Sequence, residues 1–332
     1  MNTNDLPASI QITEEGPREG FQIEPGPIAT TDKVRLINAL SETGLRTIQV
    51  CSFVSGRLVP GWVDADDVVA ALRKRDSVDY TALWFNAKGM HRALAHAQTL
   101  TLTGCIHTVA SDAFCQSNLN RTLDENTTAM RAHTATHQEQ GIEVKKIMVM
   151  AAFGCNFSGD ATVDKTVGAV DTGMAIANEA QTSITEIALA DTMGWANPRL
   201  IERIVGAVRE RWPDIAIKLH LHDTRGLGIA NAYAGLGMGV TRFDTTVGGL
   251  GGCPFAAKQS SRTDDVYKPL PPGNIATEEL VLLASELGIE TGVDIDALLD
   301  VGKMAESIVG HSLPSATLRG GSLSSYRNAL GA

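Results

Sequence analysis

The sequence is poor in cysteine, and its few thiols are not arranged for cross-linking. The five cysteines are odd in number, contain no CxxC pair and stand at Cys51, Cys105, Cys115, Cys155 and Cys253. The N-terminal segment MNTNDLPASI has neither the apolar core of a secretory signal nor a basic amphipathic pattern. A disulfide framework is therefore excluded, and we expect reduced thiols in a cytoplasmic protein.

Basic residues and long apolar runs are also scarce. Lysine and arginine number 28 against 38 aspartate and glutamate residues, which gives a net charge of −10. Because nucleic-acid-binding surfaces are basic, this balance excludes an extended contact with a phosphate backbone. No stretch approaches the ~18 consecutive apolar residues of a membrane span. We therefore expect a soluble protein that binds neither nucleic acid nor membrane.

What the sequence does contain is a regular alternation of β-rich runs and helical patterns. Eight runs have the composition of strands, and helical spacing recurs between them, as in Asp32–Gly44 and Pro198–Arg211. The runs are Ser9–Glu15, Thr47–Phe53, Asp79–Phe85, Thr99–Val109, Glu143–Phe153, Ser183–Asp191, Ala216–Asp223 and Thr241–Val247. Eight strand–helix units close a TIM barrel, which is the α/β fold we predict. The alternative, an open doubly wound sheet, would usually carry GxGxxG after its first strand, whereas this chain reads EEGPREGFQ there.

The C-terminal part of the chain predicts an addition to the barrel and no second folded domain. Helical patterns at Ala276–Leu287 and Asp294–Ile308 follow a Pro/Gly-rich stretch, Lys268–Gly273. We assign residues 1–293 to the catalytic barrel, including a lid loop at 248–273, and residues 294–332 to a helical extension that caps the barrel mouth. The Gly- and Ser-rich end, Gly320–Ala332, is expected to be poorly ordered.

A pair of histidines in the seventh β-run indicates a metal site. In AIKLHLHDTRG, His220 and His222 are separated by one residue, so both side chains leave the same face of a strand. They stand at its C-terminal end, where the active sites of barrels lie. A lone histidine is more often a hydrogen-bonded core residue, but this spacing favours two ligands of one ion. A carboxylate ligand is expected from another strand end, and Glu14, Glu15 and Glu19 are available there.

Several motifs, in one order along the chain, resemble those of the DRE-TIM metallolyases, and within them the hydroxymethylglutaryl-CoA lyase-like members. The resemblance runs from about Gln11 to Val293. Its motifs are EEGPREGFQ, IQVCSFVS, SDAFCQSNLNRT, IALADTMG, HLHDTRG, GGLGGCPFA and GNIATEEL. The resemblance implies a barrel enzyme that cleaves a carbon–carbon bond in a coenzyme A thioester.

The same resemblance implies roles for individual residues. It places catalytic groups at Arg18, which would stabilise an enolate, at Asp191, which would handle a hydroxyl proton, and at Cys253, a proton donor on a glycine-rich loop. The implied metal ligands are Glu19, His220, His222 and Asn274. The substrate contacts that we expect are Gln22, Gln49 and Arg225. Without the resemblance, Cys253 would be an ordinary apolar thiol, Asp191 a helix cap and Asn274 a turn residue.

Three positions depart from the family pattern. Glu19 stands where the lyase has aspartate, and Gln49 stands where it has glutamate. Arg225 replaces a side chain that is usually uncharged, either to meet a carboxylate of the acyl group or as a solvated residue at a helix start. The segment from Cys253 to Asn274 is also longer than the family's. Gln49 can donate a hydrogen bond where a carboxylate only accepts, so we expect a preference for an acyl-CoA other than 3-hydroxy-3-methylglutaryl-CoA.

Together these observations predict a retro-aldol or retro-Claisen lyase that uses Mg²⁺ or Mn²⁺ and acts on a 3-hydroxyacyl-CoA thioester. The products would be acetyl-CoA, or a related acyl-CoA, and a keto acid. A citramalyl-CoA-type lyase, a Claisen-type synthase that condenses an acyl-CoA with a 2-oxo acid, and a non-catalytic acyl-CoA or metal-binding homologue remain alternatives. We also expect a homo-oligomer, a dimer or a tetramer.

Overall fold

The computed structural model describes residues 6–24, 26–251 and 273–331. The strands in this part of the chain are β1 (Gln11–Glu14), β2 (Thr47–Ser52), β3 (Asp79–Leu83), β4 (Gly104–Val109), β5 (Val144–Met150), β6 (Gly154–Cys155), β7 (Gly159–Asp160), β8 (Glu186–Ala190), β9 (Ala216–His220) and β10 (Arg242–Thr245). All of them except the short antiparallel pair β6–β7 belong to parallel sheet ladders. Each of the eight predicted β-runs contains one of these sheet strands.

Helices fill the segments between the strands and most of the C-terminal part of the chain. They are α1 (Gly16–Ile23), α2 (Thr30–Leu40), α3 (Ala65–Ala71), α4 (Ala87–Leu94), α5 (Asp112–Leu119), α6 (Leu123–Glu139), α7 (Val163–Glu179), α8 (Pro198–Arg211), α9 (Gly228–Gly237), α10 (Thr277–Glu286), α11 (Ile295–Val309), α12 (Ala316–Gly320) and α13 (Leu323–Leu330). Short 3₁₀ turns lie at Pro60–Trp62 and Val247–Gly249. Every sheet strand from β1 to β9 is thus followed by helix, as the alternating pattern predicts.

Local signals account for several helix boundaries. The side chain of Asn197 accepts a hydrogen bond from Leu200 N, and Pro198 occupies the first helical position, so α8 begins and ends where the sequence predicts. Helix α6 begins with a capping box in which Thr122 and Glu125 satisfy each other's backbone N–H groups. The predicted helix at Asp32–Gly44 is observed at Thr30–Leu40, so it begins two residues earlier and ends four residues earlier.

Among the described residues, one compact unit comprises Leu102–Asp244 together with Leu6 and Pro7. In it β4, β5, β8, β9 and the first three residues of β10 lie side by side in that order. Strand β8 is buried along its whole length. This is typical of a parallel strand that is covered on both faces, and its C-terminal end delivers Asp191 to a buried position.

Among the described residues, the other compact unit comprises residues 8–101, 245–251 and 273–331. Strand β2 lies between β1 and β3, and Glu15 N donates a 2.8 Å hydrogen bond to Thr245 O at the end of β1. The chain returns to the same unit at Thr246, which forms an isolated parallel bridge with Ala276. These connections fix the start of α1, which carries Arg18 and Glu19.

The C-terminal segment is more regular than its composition predicts. The two predicted helices are present as α10 and α11, and the stretch beyond Gly320, which was expected to be poorly ordered, contains helix α13. Helix α13 is held by an exposed pair of hydrogen bonds from Arg327 to Glu286, at 2.8 and 2.9 Å, and Ser322 Oγ donates to Asp296. Tertiary contacts thus order a stretch whose Gly and Ser content predicts a flexible end.

Candidate active site

The two histidines of the HxH motif are buried and face each other. His220 is the last residue of β9, and His222 lies just beyond it. Their Nε2 atoms are 3.1 Å apart, and the ring planes are tilted by 51°. The alternation of side chains along a strand predicts this proximity, because residues two apart leave the same face. Two imidazole nitrogens that converge in this way can bind one ion.

A buried ion network lies behind His220. Asp244 Oδ2 is 3.4 Å from His220 Nδ1, and Asp244 Oδ1 is 2.9 Å from Lys218 Nζ. Burial alone would raise the pKa of Asp244, but the Lys218 charge and the contact with His220 hold that pKa well below its usual value. An ionised carboxylate on Nδ1 fixes the imidazole orientation and leaves Nε2 facing His222. Sequence reasoning missed Asp244; the buried Lys218 two residues before His220 was the signal for a carboxylate nearby.

Asp191 lies at the C-terminal end of β8, and its backbone N–H donates a 2.8 Å hydrogen bond to His220 O. Its Oδ1 accepts hydrogen bonds from Trp195 N and Ala196 N at 2.6 and 3.1 Å. Its Oδ2 is buried without a hydrogen-bond partner among the described residues. Burial outweighs these bonds and the charges of His220 and Arg225, and it raises the pKa of Asp191 to about 7. This carboxyl group can therefore accept or release a proton near neutral pH.

At the start of α1, Arg18 donates hydrogen bonds to three side chains of the described part of the chain. Its Nη2 donates to Glu15 Oε2 at 2.5 Å, its Nη1 to Glu19 Oε1 at 2.6 Å, and its Nε to Gln49 Oε1. The arginine side chain is only 9% exposed, and those of Glu15 and Glu19 only 4% and 8%. A buried guanidinium with fixed partners is preorganised to stabilise negative charge, as the assignment of Arg18 to an enolate requires.

Glu19 is joined to Asn274 by a 2.7 Å hydrogen bond from Asn274 Nδ2 to Glu19 Oε2. Asn274 Oδ1 is buried and has no hydrogen-bond partner among the described residues. Gly251, with φ at +98°, packs on Glu19 so closely that an added Cβ would lie 2.7 Å from Glu19 Cβ. Only glycine is tolerated at such a contact and backbone angle. This part of the chain therefore offers a carboxylate and an amide oxygen together.

The three glutamates predicted as possible ligands have different surroundings. Glu14 accepts hydrogen bonds from Gly16 N and Val247 N through one carboxylate oxygen and from Thr277 Oγ1 through the other. Burial raises the pKa of Glu14 to about 8, so it is largely protonated at neutral pH. Glu14 is a structural group at the base of the 247–249 turn and does not suit a metal. Glu15 and Glu19 each accept from Arg18 through one carboxylate oxygen.

The remaining predicted site residues are Arg225, Gln22 and Cys253. Arg225 is exposed, but its Nη1 donates to the carbonyl oxygens of Met193 and Gly194 at 3.1 and 2.7 Å, and its guanidinium lies 5.6 Å from the Trp195 ring. It is thus neither a freely solvated residue nor a helix cap. Gln22 is half-buried in α1. Cys253 and most of the proposed lid at 248–273 lie outside the described residues.

No helix in the described ranges is long and apolar enough to cross a membrane.

Comparisons with known proteins agree with the motifs. The family model described as HMGL-like matches residues 9–305. A hydroxymethylglutaryl-CoA lyase of Bacillus subtilis is 34% identical over 313 residues, which cover 94% of this chain and 97% of that protein. A Pseudomonas aeruginosa 3-hydroxy-3-isohexenylglutaryl-CoA/hydroxymethylglutaryl-CoA lyase is 33% identical over 309 residues, which cover 93% of this chain and 95% of that protein.

Solved structures give the same result. An HMG-CoA lyase from Acinetobacter baumannii, in complex with coenzyme A and 3-methylmalate, matches with a TM-score of 0.82 and 33% identity, covering 97% of each chain. The predicted TIM barrel is therefore confirmed, and the doubly wound alternative is excluded. The chain belongs to the HMGL-like family, which includes the hydroxymethylglutaryl-CoA lyases.

Proposed function

We propose that this protein is a divalent-metal-dependent carbon–carbon lyase that cleaves a 3-hydroxyacyl-CoA thioester of the 3-hydroxy-3-methylglutaryl-CoA type. The products are acetyl-CoA, or a related acyl-CoA, and a keto acid. The observation that carries this proposal is the buried pair of imidazole nitrogens, 3.1 Å apart, at the end of a barrel strand. Membership of the HMGL-like family supports the thioester as the substrate class.

The reaction begins with loss of the 3-hydroxyl proton and breaks the C2–C3 bond. Asp191 is suited to accept that proton, since its Oδ2 is buried and its pKa lies near neutrality. The electron pair of the broken bond passes to the thioester as an enolate, whose oxygen Arg18 stabilises. A proton from Cys253, directly or through water, then converts C2 of the enolate to the methyl group of the acyl-CoA.

The donor set also fits a divalent ion. The ligands that the family resemblance implies, Glu19, His220, His222 and Asn274, would supply two nitrogens and two oxygens. Asn274 Oδ1 is buried without a hydrogen-bond partner among the described residues, and such an oxygen needs one. Mixed nitrogen and oxygen ligands suit Mg²⁺ or Mn²⁺. When bound, the ion would supply Lewis-acid polarisation of the substrate oxygens. The protein's own contribution is to orient the ligands, through Asp244 behind His220 and Asn274 beside Glu19.

The departures from the family pattern bear on which acyl group is preferred. The Oε1 atom of Gln49 accepts from Arg18, so the Gln49 amide nitrogen is the group that can donate to a substrate oxygen. Arg225 adds positive charge beside Met193 and Gly194. The name of the Pseudomonas aeruginosa relative includes a larger 3-alkyl substrate. Citramalyl-CoA-like and longer 3-alkyl thioesters are therefore candidates beside 3-hydroxy-3-methylglutaryl-CoA itself.

The test is a panel of 3-hydroxyacyl-CoA thioesters, with acyl-CoA release followed by chromatography. Cleavage should require added Mg²⁺ or Mn²⁺ and should be abolished in His222→Ala, whereas His311→Ala, which removes an exposed imidazole paired with Glu24, should retain it. Full activity after exhaustive chelation would remove the metal from the proposal. A kcat/KM for 3-hydroxy-3-methylglutaryl-CoA of ~10⁴ M⁻¹s⁻¹ or more, exceeding the alternatives, would show that the departures do not redirect specificity.

The same panel separates the rival functions. Condensation of an acyl-CoA with a 2-oxo acid, without cleavage of any thioester, would identify a synthase. Binding of acyl-CoA or metal without turnover would identify a non-catalytic homologue. Light scattering of the purified protein tests the expected dimer or tetramer separately.

A further inference from the structure

We propose that Glu15 is a positioning residue for Arg18, and that it supplies the negative charge that Gln49 lacks. This inference rests on the proposed function, in which Arg18 stabilises the enolate. The resemblance assigns no role to Glu15. In this chain, however, it occupies one of the three contacts that fix the guanidinium.

The three contacts use the three nitrogens of the guanidinium separately. Glu15 Oε2 takes Nη2, Glu19 Oε1 takes Nη1, and Gln49 Oε1 takes Nε. Each acceptor therefore restrains a different edge of the planar group, so its plane is defined by all of them together. Loss of the Glu15 contact would remove the carboxylate oxygen that accepts from Nη2 at 2.5 Å.

Glu15 is itself rigidly placed. It stands between β1 and α1, and its backbone N–H donates to Thr245 O at 2.8 Å while its carbonyl accepts from Glu19 N at 2.8 Å. The residue is 3% exposed, so the ion pair with Arg18 is screened little by solvent. This distinguishes it from an ordinary i,i+3 pair on a helix surface, which contributes little.

The charge balance gives the reason for a carboxylate at this position. Arg18 is buried with one positive charge, and Gln49 beside its Nε is neutral. Glu19 shares its other oxygen with Asn274, and in the proposed function it also faces a cation. A second carboxylate at Glu15 keeps the guanidinium paired under those conditions, and a buried charge needs such a partner.

The geometry allows a carboxylate at position 49 to take over the role of Glu15 as a charged partner of Arg18. Because glutamate and glutamine have the same shape, Gln49→Glu would place a carboxylate on Arg18 Nε without a change in side-chain length. If Glu15 acts through its charge on Arg18, then Glu15→Gln should be damaging and the added Gln49→Glu should compensate. A carboxylate needed only for folding at the start of α1 would not be replaced by one on β2.

The experiment compares Glu15→Gln, Gln49→Glu and the double variant with Glu24→Gln, a control that removes a carboxylate just after α1 that is paired with His311. Glu15→Gln should lower kcat by about 10- to 100-fold with a smaller change in KM. The double variant should recover at least about tenfold, and the control should equal the wild type. Unchanged kcat in Glu15→Gln, or no recovery in the double variant, would overturn the proposal.

A second readout does not depend on turnover. In ¹⁵N-arginine-labelled protein, the Arg18 guanidinium, assigned with Arg18→Lys, should show hindered rotation in the wild type, faster rotation in Glu15→Gln and hindered rotation again in the double variant. This pattern in a protein that cleaves no thioester would contradict the proposed function and leave the positioning role intact. Weaker Mn²⁺ binding by Glu15→Gln, with Arg18 still hindered, would instead make Glu15 a ligand and overturn the inference.

Discussion

Asn274 donates a 2.7 Å hydrogen bond to Glu19 although the two residues are 255 positions apart in the chain. The contact gives the Glu19 carboxylate a fixed orientation and brings the Asn274 amide oxygen beside it. One hydrogen bond thus orients two of the proposed metal ligands. The resemblance names both residues, but only the folded structure shows that they depend on each other.

We therefore expect Asn274→Ala to affect metal binding in two ways. It removes one proposed ligand oxygen and frees the Glu19 carboxylate to rotate. The affinity for Mn²⁺, measured by isothermal titration calorimetry, should fall by about 10- to 100-fold. The lost hydrogen bond to a charged group should cost about 1.5–3 kcal/mol of unfolding free energy. Unaltered Mn²⁺ affinity would show that neither oxygen depends on Asn274.

Arg18→Lys tests the enolate assignment directly. Lysine keeps the charge but cannot make the three separate contacts to Glu15, Glu19 and Gln49. Loss of one preorganised donor costs ~10²–10³ in rate, so kcat should fall at least that far while KM changes little. A reduction of less than about tenfold would be too small for a residue that stabilises the transition state.

Cys253→Ser should sharply reduce turnover and remove sensitivity to thiol-modifying reagents. The prediction rests on the motif alone, because Cys253 lies outside the described residues. Burial raises the pKa of Cys105 to about 12, so that thiol should be silent. Cys155→Ser is the control for a second reactive thiol. Burial raises the pKa of the Cys155 thiol, but hydrogen bonds with Ser111 and Ser158 outweigh burial and lower that pKa. Further loss of activity on alkylation of Cys253→Ser would identify a second reactive thiol.

Two buried carboxyl groups at the base of the 247–249 turn should make stability fall as the pH rises from about 4.5 to about 8. Burial raises the pKa of Glu14 to about 8 and that of Glu278, which accepts from Gly248 N, to about 7. Both start from 4.5, so their contribution is complete below about pH 4.5 and is lost as the pH rises through 7 to 8. Each pH unit between 4.5 and the raised pKa lowers the free energy of unfolding by at most about 1.4 kcal/mol per group.

The test is the melting temperature of Glu14→Gln from pH 5 to 9. Glutamine mimics the protonated carboxyl and cannot ionise, so the variant's melting temperature should decline less than that of the wild type as the pH rises. Glu179→Gln is the control, because Glu179 is exposed and its pKa is lowered by Arg131. Parallel curves for Glu14→Gln and the wild type would mean that Glu14 is not protonated in the folded state at neutral pH.

Much of the fold could be predicted from local patterns. Strand β9 and the shared direction of His220 and His222 follow from an alternation of two residues, which backbone geometry imposes on any strand. Helix α8 follows from Asn197 and Pro198, since a cap and a preset φ act within one turn. The motifs around Arg18 and Cys253 identified the family because their order along the chain is itself sequence information.

The sequence alone determined the strand and helix order, the histidine pair and the family of this protein. Only the tertiary structure decided that Glu15 is paired with Arg18, that Asp244 lies behind His220, and that Glu14 is a protonated structural group and not a ligand. It also decided that the Gly- and Ser-rich end forms α13, held by Arg327 on Glu286. The physical reason is that periodicity and caps act over a few residues, whereas burial, ion pairing and the pKa of a carboxyl group depend on distant parts of the chain that pack around it.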